Sequence, residues 1–463
     1  MANNPMPTEI NNNAFYAKWA NVPFAPAKCP FFYGWVIVAV STLSIVFSIP
    51  GQTAGIGVFT DYLIESLGIT RNQLSLAYMI GTITSGLILP FAGKLLDRLG
   101  VRFMSLFACI GLAVSVITLS FVGRINGFFT AIFASVWVPV FVAAFAFLLV
   151  RFFGQGNMTM VGRVAMARWF NHWRGIATAI SGVPVSFAFS AAPWILNELI
   201  NYFGWRQACW VMAGAIGVGM TLLGLIFFRD TPEDCGLKMD GVSDDKLNKK
   251  QSKELHKVYR QFTRPEAVRD LSFWAFALGL GVHGLIVTAV SFHITSIGLE
   301  MGKSREDAIL MFFYSSFIAI PVRFTVSYFV DNTRLRLKWV LMMMSLAIFG
   351  YTFGLAYFNT LPGFIITIAT VGTSTGIWGV LCSVSFPRYF GRKHLGAISG
   401  LNMSVIVVAS AIGPAMFSYG KQWLGSYRNA VMLVLVLPAI IFLLSFFVAN
   451  PQRKIESNQE SAN

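Results

Sequence analysis

Charged residues are scarce in this sequence: Asp, Glu, Lys and Arg make up 12% of its 463 residues, whereas 56% are hydrophobic. A globular domain has about 25% charged and about 45–50% apolar residues, so the apolar excess is larger than a water-soluble core can bury. This composition excludes a soluble enzyme, a disulfide-rich secreted domain and a disordered chain. We therefore expect an integral membrane protein.

Motifs for metals, cofactors and nucleotides are also lacking. The five cysteines lie far apart, and no two have the spacing of a metal or redox site. There is no His-Glu-x-x-His, and the segment 298–304 is one residue shorter than a phosphate-binding loop. We expect no metal, no cofactor and no ATP, and with no intramembrane Asp or Glu we expect no membrane enzyme.

Long apolar runs dominate what is present. A helix needs about 20 apolar residues to cross the bilayer, and twelve segments meet this requirement: 33–59, 73–92, 102–122, 139–167, 175–196, 206–228, 271–296, 307–330, 337–357, 363–386, 395–416 and 429–449. The sequence does not fix where the fourth span starts, because residues 123–138 can extend the third span, lie in the membrane interface or form the beginning of the fourth span. The sequence predicts an all-α membrane protein with twelve transmembrane helices.

The longest polar segment divides these spans six and six. The predicted organisation is a tail, a six-helix bundle, a linker, a second six-helix bundle and a tail, with bounds 1–32, 33–228, 229–270, 271–449 and 450–463. The linker ends in Thr263-Arg264-Pro265-Glu266, the spacing of a helix capping box.

The distribution of the residues behind the net charge of +15 indicates how the chain is oriented in the membrane. Most Lys and Arg fall in the segments on the same side as the N-terminus, and few fall in the loops on the other side. Because basic residues favour the cytoplasmic side, both termini are expected in the cytoplasm, and if the protein is bacterial the membrane is expected to be the inner (cytoplasmic) one. Met1 to Pro30 has no signal-peptide pattern and is interpreted as a retained tail. A nucleic-acid partner is not needed to explain the charge.

The two halves repeat each other. Gly93-Lys-Leu-Leu-Asp97-Arg98-Leu-Gly100-Val-Arg102 follows the second span, and Asp331-Asn-Thr-Arg334 follows the eighth. Trp169-Phe170 through Ser181-Gly182 before the fifth span corresponds to Tyr389-Phe390 through Ser399-Gly400 before the eleventh. Similar six-helix halves are typical of a transporter that rocks around a site at their interface.

With these motifs the chain resembles the major facilitator superfamily over nearly its whole length. The resemblance implies a cytoplasmic gate motif formed by Gly93, Asp97, Arg98, Gly100, Arg102, Asp331 and Arg334. In that interpretation Asp97 caps or pairs with a neighbouring helix end, and the arginines hold the cytoplasmic face closed. The alternative is a tight turn with ordinary inside-positive charge.

A finer resemblance is to the monocarboxylate transporters and the oxalate/formate exchangers. It rests on Tyr33-Gly34-Trp35, Trp169-Phe170 with Arg174-Gly175, Pro232 to Leu237, Phe273-Trp274, His293, and Arg323 eight residues before Asp331. The resemblance implies that Arg323 binds a carboxylate. The sequence departs from the proton-coupled relatives at Ala319, where they have an aspartate, and from the oxalate type by lacking a lysine between Leu395 and Met416.

Two arginines, Arg323 and Arg151, are predicted inside spans without an acidic partner. A charged side chain at the membrane centre costs about 2.5–3.5 kcal/mol on insertion scales, and an anionic substrate would neutralise it. One arginine in each half would let a single anion couple the halves. The alternatives are a structural Arg323 paired with Asp331 or helix ends, and an Arg151 that extends to the inner face.

Other candidate binding residues have weaker support. Gln52 and Thr53 follow the Pro50-Gly51 break, Asn157 follows a glycine-rich stretch, and His283 is a deep histidine that can titrate near neutral pH. Trp378 and Asn402 are predicted either to line the path or to pack helices. A lone histidine bonded to a backbone carbonyl is the favoured interpretation of His283.

The sequence thus predicts a secondary transporter of small organic anions, carboxylates above all, that works by alternating access and exchanges one anion for another. The alternative is a proton-coupled monocarboxylate symporter. Export of amphiphiles and a sensor without transport rank lower. We expect a monomer, and the sequence does not specify which carboxylate is carried or in which direction.

Overall fold

The computed structural model describes residues 18–241, 258–333, 335–453 and 455. Within them the first half contains these helices: Gly34–Phe47, Thr53–Gly57 and Thr60–Leu67 (span 1 and its extension), Arg71–Ser120 (spans 2 and 3), Val122–Phe133, Val138–Trp169 (span 4), Arg174–Phe203 (span 5) and Trp205–Phe227 (span 6). The second half begins with Arg264–Val268 and continues with Leu271–Glu300, Arg305–Asn332, Leu337–Ala356, Leu361–Phe390, Leu395–Leu424, and Tyr427–Val434 with Val436–Phe446 (spans 7 to 12).

These helices give the twelve predicted crossings. Nine described helices are long and apolar enough to cross a membrane, and span 5 is a tenth, bent by 42° between Phe189 and Ala191. The 50-residue helix Arg71–Ser120 contains two crossings separated at Gly100, whose φ of 82° and ψ of 171° are not helical. The shorter helix Gly34–Phe47 completes the set, since span 1 is broken after it. The predicted all-α fold class is confirmed.

Local sequence explains the irregular points. A 3₁₀ turn over Ile49–Gly51 interrupts span 1 at the Pro50-Gly51 break. The stretch left open between spans 3 and 4 forms a separate helix, Val122–Phe133, and span 4 begins at Val138. Thr263 and Glu266 form the reciprocal capping box that starts the short helix before span 7.

The two halves meet along spans 2 and 11 and along spans 5 and 8. Glycine makes the first contact close, because a Cβ on Gly93 would lie 2.9 Å from the Cα of Gly400 and would overlap the carbonyl of Gly396. Small residues allow helix backbones to approach in a membrane. We call the end of the bundle that holds Asp97 and Asp331 the inner face and the opposite end the outer face.

Candidate functional site

Arg323 of span 8 lies in a pocket made by glycines from both halves. Its side chain is 7% exposed. A Cβ on Gly379 of span 10 would lie 3.0 Å from its Nε, and a Cβ on Gly182 of span 5 would overlap its Nη1. Nε is buried without a hydrogen-bond partner, and among the described residues no carboxylate pairs with this guanidinium. Both halves therefore leave room for a charged group that the protein itself does not neutralise.

A second arginine, Arg163 of span 4, extends from the first half toward the second. Its guanidinium carbon lies 4.8 Å from the ring centroid of Trp378 in span 10, and its Nη1 lies 3.7 Å from the Met403 sulfur in span 11. It is close enough to Arg323 for the two charges to repel, and both interact with the thiol of Cys382. Two guanidinium groups, one from each half, thus face the same place with no acid among the described residues between them.

Trp378 links this arginine pair to His283 of span 7. The His283 ring stacks on the indole at 5.4 Å with 20° between the planes, and the indole Nε1 donates to the Leu280 carbonyl at 3.2 Å. Nε2 of His283 is buried without a partner, as is Oδ1 of Asn402 in span 11. Of the candidates predicted from sequence, the structure brings His283 and Trp378 to the Arg323 region.

Arg151 belongs to a different cluster, inside the first half. It is fully buried, and its Nη1 donates to the Gly51 carbonyl at 3.1 Å and to Thr53 Oγ1 at 3.4 Å. Its guanidinium lies 5.2 Å from the ring of Tyr78, whose hydroxyl is 2.9 Å from Thr53 Oγ1. The broken segment of span 1 therefore supplies dipoles that stabilise this charge.

Gln52 and Asn157 stay within the same half. Gln52 donates to Ser48 Oγ at 3.0 Å and to Thr159 Oγ1 at 3.3 Å. Asn157 donates to the Phe152 carbonyl at 3.2 Å, in the π-helical stretch Arg151–Met158 of span 4. These contacts tie span 1 to span 4 and do not reach the second half.

The structure does not bring Arg151 and Arg323 together. At 1.5 Å per residue, Arg151 lies roughly 27 Å from the inner end of span 4, whereas Arg323 lies roughly 14 Å from the inner end of span 8 and Arg163 roughly 9 Å. The partner of Arg323 across the interface is Arg163, which the sequence prediction did not single out. The available signal was its position inside the predicted span 139–167, although its nearness to the end of that span favoured a cytoplasmic interpretation.

At the inner face, two carboxylates bind helix N-termini of the opposite half. Asp97 accepts from the backbone N–H groups of Gly396 and Ala397 at 2.8 and 2.7 Å, at the start of span 11. Asp331 accepts from those of Gly175 and Ile176 at 3.2 and 2.9 Å, at the start of span 5. Helix N-termini favour negative charge, so each contact closes the inner face.

Arginines complete this closure, but they are not those of the predicted motif. Arg168 pairs with Asp97 at 3.0 Å and Arg388 with Asp331 at 2.7 Å. Arg392 of the second half reaches the Arg168 carbonyl and pairs with Glu233 of the first half at 3.0 Å. Arg168 and Arg388 occupy corresponding places in the repeated halves, directly before Trp169-Phe170 and Tyr389-Phe390.

The predicted gate arginines have other surroundings. Arg102 donates to the carbonyls of Trp19 and Leu225, both in its own half, and Arg98 is exposed. The predicted role of these two in bridging the halves is therefore corrected: Arg102 fastens span 3 to span 6 and to the N-terminal segment. Arg334 lies outside the described residues.

Because Gly100 has no side chain, the buried carboxylate of Asp230, just after span 6, can pack against its backbone. A Cβ there would overlap the Asp230 carboxylate, which accepts from the backbone N–H of Val101 and lies 3.6 Å from Arg168. Burial raises the pKa of Asp230 to about 6, although the Arg168 charge opposes the rise. Arg168 is thus shared between the gate carboxylate and this acid.

Comparison with known proteins identifies the family. A family model described as Major Facilitator Superfamily matches residues 34–414. The chain belongs to the major facilitator superfamily. The predicted family and the prediction of a transporter in place of an enzyme are confirmed, and this major facilitator protein is a multi-pass integral membrane protein.

Three transporters are similar to this major facilitator chain. The probable sulfoacetate transporter SauU of Cupriavidus necator is 23% identical over 439 residues, with 88% of this chain and 92% of that protein covered. The human organic anion transporter MFSD10 superposes with a TM-score of 0.63 at 15% identity, over 89% of this chain and 99% of that one. The transporter FucP in its outward conformation gives 0.61 at 14% identity, over 89% and 99%. At such identities the solved structures show the shared fold alone.

Proposed function

We propose that this protein is a secondary transporter of small organic anions that exchanges one anion for another, with Arg323 and Arg163 as its binding pair. The observation that carries the proposal is the juxtaposition of two guanidinium groups, one from each half, without an acid among the described residues to neutralise them. Guanidinium groups bind carboxylate and sulfonate oxygens as two-pronged donors. An anion held by both would join the halves.

The charges favour an anion with two acidic groups. The buried guanidinium of Arg323 and the partly exposed guanidinium of Arg163 repel each other, and one dianion neutralises both, whereas one monocarboxylate leaves one positive charge uncompensated. The relative SauU is named as a probable sulfoacetate transporter, and sulfoacetate carries one carboxylate and one sulfonate. Dicarboxylates and sulfocarboxylates are therefore the first substrates to test.

The inner face supports alternating access. With Asp97 and Asp331 bound to helices of the opposite half, the inner side is closed. Opening it separates each carboxylate from its helix N-terminus and moves the two arginines apart, so that an anion held between them is released. Exchange follows because a return without an anion would leave both arginines unneutralised.

Proton-coupled symport is the second candidate, and one observation favours it. His283 stacks on Trp378 next to Arg163 and keeps a buried Nε2 without a partner. Because burial disfavours the charged form of this histidine, it would accept a proton only if a bound anion offset that cost.

The test is counterflow into proteoliposomes preloaded with a dicarboxylate, a sulfocarboxylate or a monocarboxylate. Arg323→Gln and Arg163→Gln each remove charge-assisted bonds of about 1.5–3 kcal/mol and should weaken anion binding roughly 10- to 150-fold. Arg206→Gln, an exposed arginine on the ring of Trp205 at the outer face, is the matched control and should transport normally.

The outcomes separate the candidates. Uptake that requires an internal anion, persists without a pH gradient and fails in both site variants supports exchange. Uptake into empty liposomes that follows the proton gradient supports symport. Normal uptake by Arg163→Gln refutes the arginine pair, and no transport of any organic anion refutes the proposal as a whole.

A further inference from the structure

The first residues after span 12 hold the end of the linker between the halves. Gln452 lies there and is 2% exposed. Its Oε1 accepts from the backbone N–H groups of Tyr259 and Arg260, each at 3.0 Å, and its Nε2 donates to the carbonyls of Arg260 and Tyr389, each at 2.9 Å. A carboxamide has two acceptor and two donor positions, so this buried amide forms all four of its hydrogen bonds. The tail is thereby fixed to the linker and to the end of span 10.

A second glutamine follows the linker residues that Gln452 binds. Oε1 of Gln261 accepts from the backbone N–H groups of Arg392 and Lys393 at 2.8 and 3.1 Å, in the turn between spans 10 and 11. Gly391 of that turn has a φ of 84°, which favours glycine, and a Cβ on it would overlap the Gln261 amide. The linker end therefore fixes the backbone of Arg392.

The side chain of Arg392 crosses from there to the first half. Its Nη1 donates to the carbonyl of Arg168 in the last turn of span 4, and its Nη2 lies 3.0 Å from Oε1 of Glu233 at the start of the linker. Hydrogen bonds weaken steeply when distance or angle departs from the optimum. The position of the Arg392 backbone therefore decides how well this arginine joins the halves, and its contacts exist only while the inner face is closed.

We propose that tail residues 450–453 and linker residues 259–261 form a clasp that positions Arg392 for its contacts with the first half. The clasp lies against the second half and stays intact when the halves separate, whereas the contacts of Arg392 break. A fixed backbone reduces the conformational entropy that this long side chain loses when it reaches across. The clasp therefore stabilises the closed inner face over the open one, and Gln452 and Gln261 are positioning residues of the inner gate.

Electron–electron double resonance on the full chain measures the balance between the two states. The spin labels are placed at Arg98→Cys and Arg336→Cys, exposed inner-face positions in opposite halves, with Cys29 replaced by serine. Gln452→Leu and Gln261→Ala should each increase the ratio of long to short distances by about 2- to 12-fold, the effect of one neutral hydrogen bond.

Two shortened chains test the tail itself. A chain that ends after Ala449 lacks the tail part of the clasp and should open as Gln452→Leu does, whereas a chain that ends after Arg453 keeps it and should match the full chain. Gln207→Ala removes an exposed glutamine at the outer face and is the matched control for Gln261→Ala. Gln261→Glu keeps an acceptor oxygen for the turn and should retain the wild-type distances.

A double-variant cycle distinguishes positioning of Arg392 from a general loosening of the structure. Arg392→Gln removes a charge-assisted bond and should raise the ratio of long to short distances roughly 10- to 150-fold. If the clasp acts through this arginine, Gln261→Ala should add nothing further to Arg392→Gln. It should keep its full effect in Asp331→Asn, because variants that share no partner usually add.

Wild-type distances in both Gln452→Leu and Gln261→Ala would overturn the proposal, as would an equal shift in Gln207→Ala or in the chain that ends after Arg453. Full additivity with Arg392→Gln would overturn it as well. If Gln452→Leu does not elute as a monodisperse species, Gln261→Ala decides the test, since that side chain is exposed. These readouts need no transported anion, so they stand apart from the failure of the anion-exchange proposal.

Discussion

Neutralising Asp97 tests the closure of the inner face, because this carboxylate holds the start of span 11 to the opposite half. Asp97→Asn removes the charge and leaves a single side-chain oxygen, so it can accept from the backbone N–H of Gly396 or of Ala397 but not from both, because each now bonds a different carboxylate oxygen. A hydrogen bond to a charged group contributes about 1.5–3 kcal/mol and a neutral one about 0.5–1.5. One bond is therefore weakened by about 1–1.5 kcal/mol and the other, which contributes about 1.5–3 kcal/mol, is lost, for a total of about 2.5–4.5 kcal/mol. Arg168 keeps only Asp230 as an acidic partner.

A loss of that size changes the ratio of closed to open inner faces roughly 70- to 2,000-fold. Asp331→Asn should act in the same direction, because Asp331 makes the corresponding contacts with span 5. Spin labels at Arg98→Cys and Lys393→Cys, exposed positions in opposite halves, with the partly exposed Cys29 replaced by serine, report the separation by electron–electron double resonance. We expect a shift toward longer distances in each variant.

Asp61→Asn is the matched control. Asp61 pairs with Arg71 at 2.6 Å, but the two side chains are 80% and 67% exposed, and exposed pairs contribute about 0–1 kcal/mol. Distances in Asp97→Asn that coincide with those of the wild type would refute the reasoning. An equal shift in Asp61→Asn would show that any loss of charge opens the inner face.

Three further predictions concern the site and its surroundings. Gly182→Ala should weaken anion binding measured by radioligand, because the added Cβ would overlap Arg323 Nη1 and displace that guanidinium, and Gly379→Ala should weaken it less, because its Cβ would lie 3.0 Å from Arg323 Nε. Asp230 has a raised pKa of about 6 in the folded protein, so between about pH 4 and about pH 6 the native state holds a proton on this carboxyl group that the unfolded chain has lost. The free energy of unfolding should therefore fall by roughly 3 kcal/mol as pH rises from about 4 to about 6. The melting temperature across that range measures the change. His283→Gln should leave anion counterflow unchanged if exchange is the mechanism.

Each of these has its own control. Gly57→Ala, where an added Cβ meets nothing within 4 Å, should bind anions normally, and equal losses there would contradict the steric argument. Asp230→Asn should flatten the pH dependence of melting, so a slope unchanged from the wild type would assign it to another group. Loss of counterflow in His283→Gln, together with uptake driven by a proton gradient in the wild type, would favour symport over exchange.

Much of the architecture followed from local patterns. Apolar runs of membrane length, the Pro50-Gly51 break and the Thr263–Glu266 capping spacing each predicted a feature that the structure contains, because hydropathy, turn chemistry and capping depend on neighbouring residues. The paired aspartates Asp97 and Asp331 also stood out, since the repeat puts them six spans apart.

The site was harder to predict, because its parts are distant in the chain. Arg151 and Arg163 are on the same span, and sequence favoured the deeper one. Each residue turns a helix by about 100°, so depth alone does not tell which arginine faces the other half. The broken span 1 surrounds Arg151 with its own carbonyl and hydroxyl groups, whereas Arg163 extends past span 4 to Trp378.

The sequence by itself determined the class of protein, the number of crossings and the division into two similar halves, because each of these depends on composition and spacing along the chain. Only the tertiary structure decided that Arg323 meets Arg163, that Asp97 and Asp331 bind helix ends of the opposite half, and that Arg102 stays in its own half. Those contacts depend on the rotation, depth and close approach of helices more than a hundred residues apart, which glycines such as Gly93, Gly182 and Gly379 permit but do not specify.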